Sequence, residues 1–322
     1  MIVEHCMTVK ADDKVLIITD DEHVLAAQSL AGVAFSLGAY PVIANVTHHV
    51  ALVEASMAYP MEPPAHLAQA MLHSDEIIVI TNVTWAHRIP HTDAVKQSVE
   101  NGAKIASIEE GMGGEWDMEV EDIELITKRT QKILKAMEGA KWVRVTNPAG
   151  TDVRVCIEGR PPLEVVPVKG PGVMMGPIPM WGEVAWAAVE DRTEGKIVVD
   201  GIMIPVYIYG TLPTPIEWII ENGRAVEISG GEEAQQLKTI VEEADSQSNV
   251  IAEFAVGTSH KEKLGSPYEK GKLGTVHFAL GDNVRCYPGG QSLSNVHLDG
   301  SIRDVTIEVD GKTIIKDGQL VI

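Results

Sequence analysis

Long uninterrupted apolar runs are missing from this 322-residue chain, although 45% of its residues are hydrophobic. The richest early stretch, Val24 to Val46, is broken by Gln28, Ser29, Gly32, Gly38 and Pro41, so nothing in it reaches the roughly eighteen residues that a membrane-spanning helix needs. No membrane partner is expected. Cysteine is scarce: Cys6, Cys156 and Cys286 are odd in number and far apart, which argues against a disulfide framework and against a closed zinc site of the CxxC kind. They are expected to be free, mostly buried thiols. Positive charge is also short, with 26 Lys and Arg against 46 Asp and Glu, a formal net charge of −20. Such a field repels phosphate backbones, which excludes a nucleic-acid partner, and attracts cations and metal ions. The first residues, with Glu4, His5, Lys10, Asp12 and Asp13, lack the basic and apolar regions of a secretory signal, so a cytoplasmic location is expected. Gly111-Met-Gly-Gly114 has no following Lys-Ser/Thr, and Gly289-Gly290 is not part of a GxGxxG. Nucleotide binding is therefore unsupported. Three Phe beside 17 Pro and 29 Gly point to a chain with many tight turns.

What is present divides in two. Up to residue 140, short β-branched runs alternate with amphipathic stretches. Strands are predicted at Lys14 to Thr19, Tyr40 to Asn45, Glu76 to Ile80 and Lys104 to Ile108, with helices at Glu22 to Leu37, Pro64 to Met71, Thr92 to Asn101 and Asp122 to Ala140. Alternation of this kind builds a parallel sheet covered on both faces. From about residue 141 the pattern changes to short strands separated by turn clusters. These are predicted at Trp142 to Thr146, Asp152 to Cys156, Lys196 to Val199, Ile204 to Tyr209, Arg224 to Ile228, Val276 to Leu280 and Val305 to Val309, with one helix at Gly231 to Ala244. The Asp310-Gly311 pair between apolar runs is a hairpin signal. The fold class is an α/β domain over 1–140, followed by a mainly antiparallel β, α+β domain over 141–322.

Four segments of the second part each place a ligand-type side chain inside an apolar, Gly-flanked run: Gly182-Glu183-Val184, Ala252-Glu253-Phe254, Gly274-Thr-Val-His277-Phe-Ala-Leu-Gly281 and His297-Leu-Asp299. In a strand, positions i and i+2 share a face, so His297 and Asp299 can meet one ion. A carboxylate in such a run must be paired, protonated or metal-bound, because burying an isolated charge costs several kcal/mol. The competing reading is a buried ion pair for each glutamate and a satisfied core histidine for His277. His48-His49, His87, Arg88 and His91 lie near the ends of predicted strands of the α/β part, where solvated loop residues are the plainer reading; Arg88 and His91 are the candidates should that domain supply anything. Cys286 lies between the two histidine segments with no partner that would activate it, and is read as structural.

These segments, in this order, resemble the metal-binding segments of the aminopeptidase T-like metallo-aminopeptidases, and His91-Thr-Asp-Ala-Val-Lys-Gln-Ser-Val-Glu-Asn-Gly-Ala-Lys-Ile-Ala-Ser107 resembles a stretch of their N-terminal domain. The resemblance implies Glu183, Glu253, His277, His297 and Asp299 as ligands of divalent ions (Zn, Co, Mn or Fe), two in number, with Glu183 or Glu253 as catalytic base. It also implies hydrolysis of a peptide or amide bond in a small-molecule or short-peptide substrate by metal-activated water, and a homodimer. One departure concerns a tyrosine that those aminopeptidases place shortly after the histidine matched by His277. This chain has Val284 there and Tyr287 slightly beyond.

The same segments also resemble the 2,5-dihydroxypyridine 5,6-dioxygenases, which hold one non-haem iron by two histidines and an aspartate. There the position of Glu253 is a histidine and none stands at His277, while His297 and Asp299 fit both groups. On that alternative His277, His297 and Asp299 would hold one Fe(II), leaving Glu183 and Glu253 for a hydroxylated pyridine-like substrate.

Overall fold

The computed structural model describes residues 1–56, 62–109, 118–167, 170–208, 210–285 and 287–322. The expectations placed on Gly111–Gly114, Tyr209 and Cys286 lie outside the described residues. The chain forms two compact units, Met1–Thr127 with Val165–Trp181, and Lys128–Glu164 with Gly182–Ile322.

The first unit is built on a five-stranded parallel sheet. Lys14–Thr19 lies between Tyr40–Asn45 and Glu76–Ile80, followed by Lys104–Ile108 and then Gly172–Gly176. The first, third and fourth of these by sequence are buried almost throughout, as strands covered on both faces must be. The helices Val24–Ser36, Ala65–Leu72 and Asp93–Glu100 alternate with them. Thr92 caps the last, its hydroxyl accepting from Val95 N at 3.4 Å. The fifth strand comes from beyond residue 141, a return that a linear reading of the pattern does not include. Its sequence, Gly172-Val-Met-Met-Gly176, is short and flanked by turn residues, so nothing local marks it as belonging to the parallel sheet.

The second unit holds an eight-stranded sheet and a five-stranded sheet. The hairpin at Asp310-Gly311 forms as expected, both residues having positive φ (46° and 86°), and joins Thr306–Val309 to Lys312–Lys316. The expected strand from Ile204 differs. Pro205 has no N–H to give a ladder, and the segment makes isolated bridges from Met203 to Gly300 and Tyr207. It runs along the edge of the strand His297–Ile302, with Ile204 N donating to Asp299 O at 2.8 Å and Ser301 N donating to Ile202 O at 3.0 Å.

The five-stranded sheet has the order His297–Ile302, Val276–Gly281, Ile251–Gly257, Glu183–Ala187, Leu163–Val165. Its two faces differ completely. Val184, Trp186, Phe254, Val256, Val276, Phe278, Leu280, Leu298 and Ile302 belong to the main apolar core. Residues of the other parity are Ala185, Ala187, Ala255 and Ala279 together with all five candidate ligands. Contact with the eight-stranded sheet is close at Gly300, where a Cβ would lie 2.6 Å from Val199 Cγ2 and 3.0 Å from Trp218 Cη2. Gly300→Ala is therefore expected to lower unfolding free energy by about 1–3 kcal/mol, seen as a lower Tm; an unchanged Tm would show that this contact yields without cost.

Candidate metal centre

Strand register brings the ligands together. Glu253 pairs with Ala279, and Ala279 with Asp299, so the two carboxylates stand level, two strands apart, on the same face. His297 follows two residues before Asp299 on its strand. His277 is one step the other way, opposite Ala255, and Glu183 is opposite Gly257. The floor between them is alanine, Ala185, Ala187 and Ala255, which leaves room above the sheet for five long polar side chains.

The side chains meet in two groups, Glu183, Glu253 and His277, and Glu253, His297 and Asp299, the ligand atoms in each within 4.8 Å of one another. Glu253 belongs to both. Its Oε1 is 3.1 Å from His277 Nε2, and its Oε2 is 3.0 Å from His297 Nε2. His277 Nε2 is also 3.8 Å from Glu183 Oε2, and His297 Nε2 is 3.1 Å from Asp299 Oδ1. His297 Nδ1 lies 2.8 Å from the Asp282 carbonyl oxygen, an outer hydrogen bond that fixes the ring with Nε2 turned inward. The two-histidine, one-carboxylate set of His277, His297 and Asp299 is not among the groups found in the described residues. Because Glu253 stands between them, the two imidazoles approach its opposite oxygens.

These residues fit a cation. Glu183, Glu253, His277 and Asp299 are at most 5% exposed, and Glu183 Oε2 and Asp299 Oδ1 are buried oxygens without a hydrogen-bond donor. A cation would satisfy both, and mixed imidazole and carboxylate donors suit iron, manganese, cobalt or zinc. Burial pushes the Glu183 carboxyl up to about 7, with His277 opposing. Burial acts in the same direction on Glu253, but the neighbouring His277 and His297 imidazoles outweigh it and hold that carboxyl down at about 2. For Asp299, burial is outweighed by Lys270 and His297, which hold it well below the usual range. Burial would lower both histidines. Asp299 and Glu253 instead raise His297 well above its ordinary value, and Glu253 and Glu183 raise His277.

Two further side chains complete the centre. Tyr287 stacks on His297, ring centroids 5.6 Å apart, and its hydroxyl donates to Glu253 Oε2 at 2.8 Å. Lys270, on the turn Glu269–Gly271, donates to Asp299 Oδ2. Tyr287 is visible in the sequence as the tyrosine slightly beyond Val284, whose own side chain is an exposed one. Lys270 carries no such signal, since Glu-Lys-Gly-Lys reads as an ordinary solvated turn. His48, His49, His87, Arg88 and His91 belong to the first unit. There His87 Nδ1 is 3.0 Å from Glu109 Oε1, and His49 packs edge-on against Trp85. No metal-type group among the described residues includes any of them. Cys6 and Cys156 are free and buried.

The sequence model of the family described as NicX, 2,5-dihydroxypyridine 5,6-dioxygenase, matches residues 2–322. The chain belongs to this family. The structure of 2,5-dihydroxypyridine dioxygenase from Pseudomonas putida KT2440 is similar with a TM-score of 0.77 at 19% identity, covering 98% of this chain and 93% of that one. Wild-type AmpT from Thermus thermophilus is similar with a TM-score of 0.68 at 15% identity, covering 99% of this chain and 96% of that one. None of the curated proteins matches. The hydrolase reading is corrected here: a dioxygenase family model spans nearly the whole chain, and the likeness to AmpT, the weaker of the two in score, is one of fold. The ligand pattern that suggested a peptidase is carried by a scaffold both groups share, so order and spacing of the segments could not separate them. No helix among the described residues is long and apolar enough to cross a membrane.

Ligation requires neutral imidazoles, so a cation competes with the protonation that the neighbouring carboxylates favour on His297 and His277. Binding is expected to release on the order of one proton per ion and to tighten as pH rises, measurable by calorimetry in buffers of different ionisation enthalpy; proton-neutral binding would contradict the arrangement. Glu253→Ala removes the donor common to both groups and is expected to weaken metal binding by more than about 100-fold, since even outer-sphere changes cost 10- to 100-fold. Elemental analysis of the variant, with Glu183→Ala as the milder comparison, checks it.

Proposed function

We propose that the chain is a non-haem, metal-dependent dioxygenase that opens the ring of a hydroxylated pyridine-like substrate. The observation that carries this reading is the match to the dioxygenase family over residues 2–322, joined to a buried donor set able to hold iron. Glu253, His297 and Asp299 would hold the ion. When bound, Fe(II) supplies sites at which a hydroxylated ring and dioxygen react together.

The chain's own residues do the remaining work. Asp282 O holds the His297 ring in orientation, and the Tyr287 hydroxyl anchors Glu253 Oε2. Glu183 Oε2 is buried, lacks a donor, and has its carboxyl pushed up by burial to about 7. It can accept the proton that a substrate hydroxyl loses on binding and return it later, as general acid-base work near neutrality requires. The alanine floor excludes water from below the donors, which strengthens each charge interaction there. Glu253 in place of the histidine implied for the dioxygenases gives the ion one more negative donor.

Protein loaded anaerobically with Fe(II) is expected to take up oxygen on addition of 2,5-dihydroxypyridine or a related hydroxypyridine, with loss of the ring's ultraviolet absorption. His297→Ala should reduce the rate by at least ~100-fold. Iron-loaded, folded protein that consumes no oxygen with any hydroxylated pyridine would overturn the reading.

A further inference from the structure

Lys270 is not in the ligand set, yet it is held against it. Its ammonium donates to Asp299 Oδ2, and it is only 7% exposed. That leaves Oδ1 as the oxygen of Asp299 without a hydrogen-bond donor, and this is the oxygen that lies 3.1 Å from His297 Nε2. The lysine thereby divides the carboxylate into one anchored oxygen and one offered to a cation.

The mount of Lys270 is rigid. Neighbouring Glu269 accepts from Ile202 N at 3.1 Å and Gly265 N at 2.6 Å, and from the Ser301 hydroxyl and the Arg303 guanidinium. Thr275 Oγ1 is 2.9 Å from Glu269 O, 3.2 Å from Lys270 O and 2.7 Å from Lys272 O. On the sheet side the turn lies directly over Gly257, where a Cβ would be 2.3 Å from Lys272 O. Arg303 matches the charge of Glu269, so the turn adds the single positive charge of Lys270 to the centre.

That charge completes a count. With an ion held by Glu253, His297 and Asp299, its charge favours neutral imidazoles and an ionised Glu183, so Glu183, Glu253 and Asp299 contribute three negative charges; Lys270 offsets one, and two remain. One divalent cation neutralises the centre, whereas two would leave it with two positive charges in a buried site, where unmatched charge is strongly disfavoured. Through Asp299, Lys270 is tied to the group that shares Glu253 with Glu183 and His277. It is therefore positioned to disfavour a second ion there.

We propose that Lys270 is a positioning residue that fixes Asp299 through Oδ2 and sets the charge of the centre so that it takes a single divalent cation. This rests on the reading of these side chains as the metal site of the proposed oxygenase.

The test counts ions and needs neither oxygen nor substrate. Metal-stripped protein is titrated with Mn²⁺ and with Zn²⁺ by calorimetry, and Co²⁺ absorption reports the ligand geometry. The wild type is expected to hold one tightly bound ion. Lys270→Met, with three uncompensated carboxylates, is expected to bind a second ion at least ~10-fold more tightly than the wild type does, with a changed Co²⁺ spectrum as Asp299 is released. Lys270→Arg keeps the cation and is expected to restore a single ion. Two ions of similar affinity in the wild type overturn the proposal, as does Lys270→Met matching the wild type in ion count, second-ion affinity and spectrum. Should circular dichroism show that Lys270→Met does not fold, Lys270→Gln is judged by the same criteria, and the wild-type count stands as a test by itself. A protein that holds one ion and responds to Lys270 as described but consumes no oxygen would sink the oxygenase reading alone.

Discussion

The centre depends on a single buried carboxylate shared by two imidazoles. Glu253 presents Oε1 to His277 and Oε2 to His297 from the middle of a strand whose other face is packed into the main core. His277 cannot turn away without leaving the buried Oε1 short of a partner, a loss of about 1–3 kcal/mol or more for a charged group, whereas Oε2 is held by both His297 and the Tyr287 hydroxyl. The sheet cannot shift by one residue, because that would carry Glu253 into the core and Phe254 out of it. The positions of the other donors follow from these two restrictions: Asp299 level with Glu253, His297 two residues away on the same strand, and Glu183 across Gly257.

A surface this charged survives inside the protein because it is small-floored and closed by specific partners. The alanines that line it have no side-chain bulk to push the donors apart, and Tyr287 and Lys270 occupy two of the carboxylate oxygens. The remaining groups are left to hold protons or a cation. In the metal-free chain the neighbouring carboxylates favour the protonated form of both histidines, so ion and proton compete for the same atoms. The lysine differs from them, since it holds Asp299 Oδ2 and does not occupy the oxygen offered to the ion.

Much of this was legible in the sequence. Strict alternation made Glu253 in Ala252-Glu-Phe and His277 in Val-His-Phe inconsistent with ordinary strands, since each interrupts an apolar run with a group that needs a partner. The parallel strands through Lys104–Ile108 were likewise readable from β-branched composition and the turns that bound them. Three things were not. The strand Gly172–Gly176 returns to the parallel sheet through long-range pairing that five residues cannot encode. The chain near Pro205 reads as a strand by composition, but its pairing is limited to isolated bridges. Lys270 reaches Asp299 only because Gly257 lets a polar turn lie on the sheet, and a contact across the sheet leaves no trace in local spacing. The choice between hydrolysis and oxygenation was hidden for a different reason: the two groups are alike in fold, and it is the match along residues 2–322, not the donor residues, that points to the dioxygenases.

The donors come from four strands that are distant in sequence and neighbours only in the finished sheet. An unfolded chain offers a cation scattered carboxylates and imidazoles, none of them gathered, so the ion binds the native state almost exclusively. Free metal at 100 times its dissociation constant would then add about 2.7 kcal/mol to the stability of the second unit, a substantial fraction of what a typical domain possesses. An ion bound there would thus act as a folding ligand, and its supply in the surroundings would bear on how much of the second unit is held in its native form.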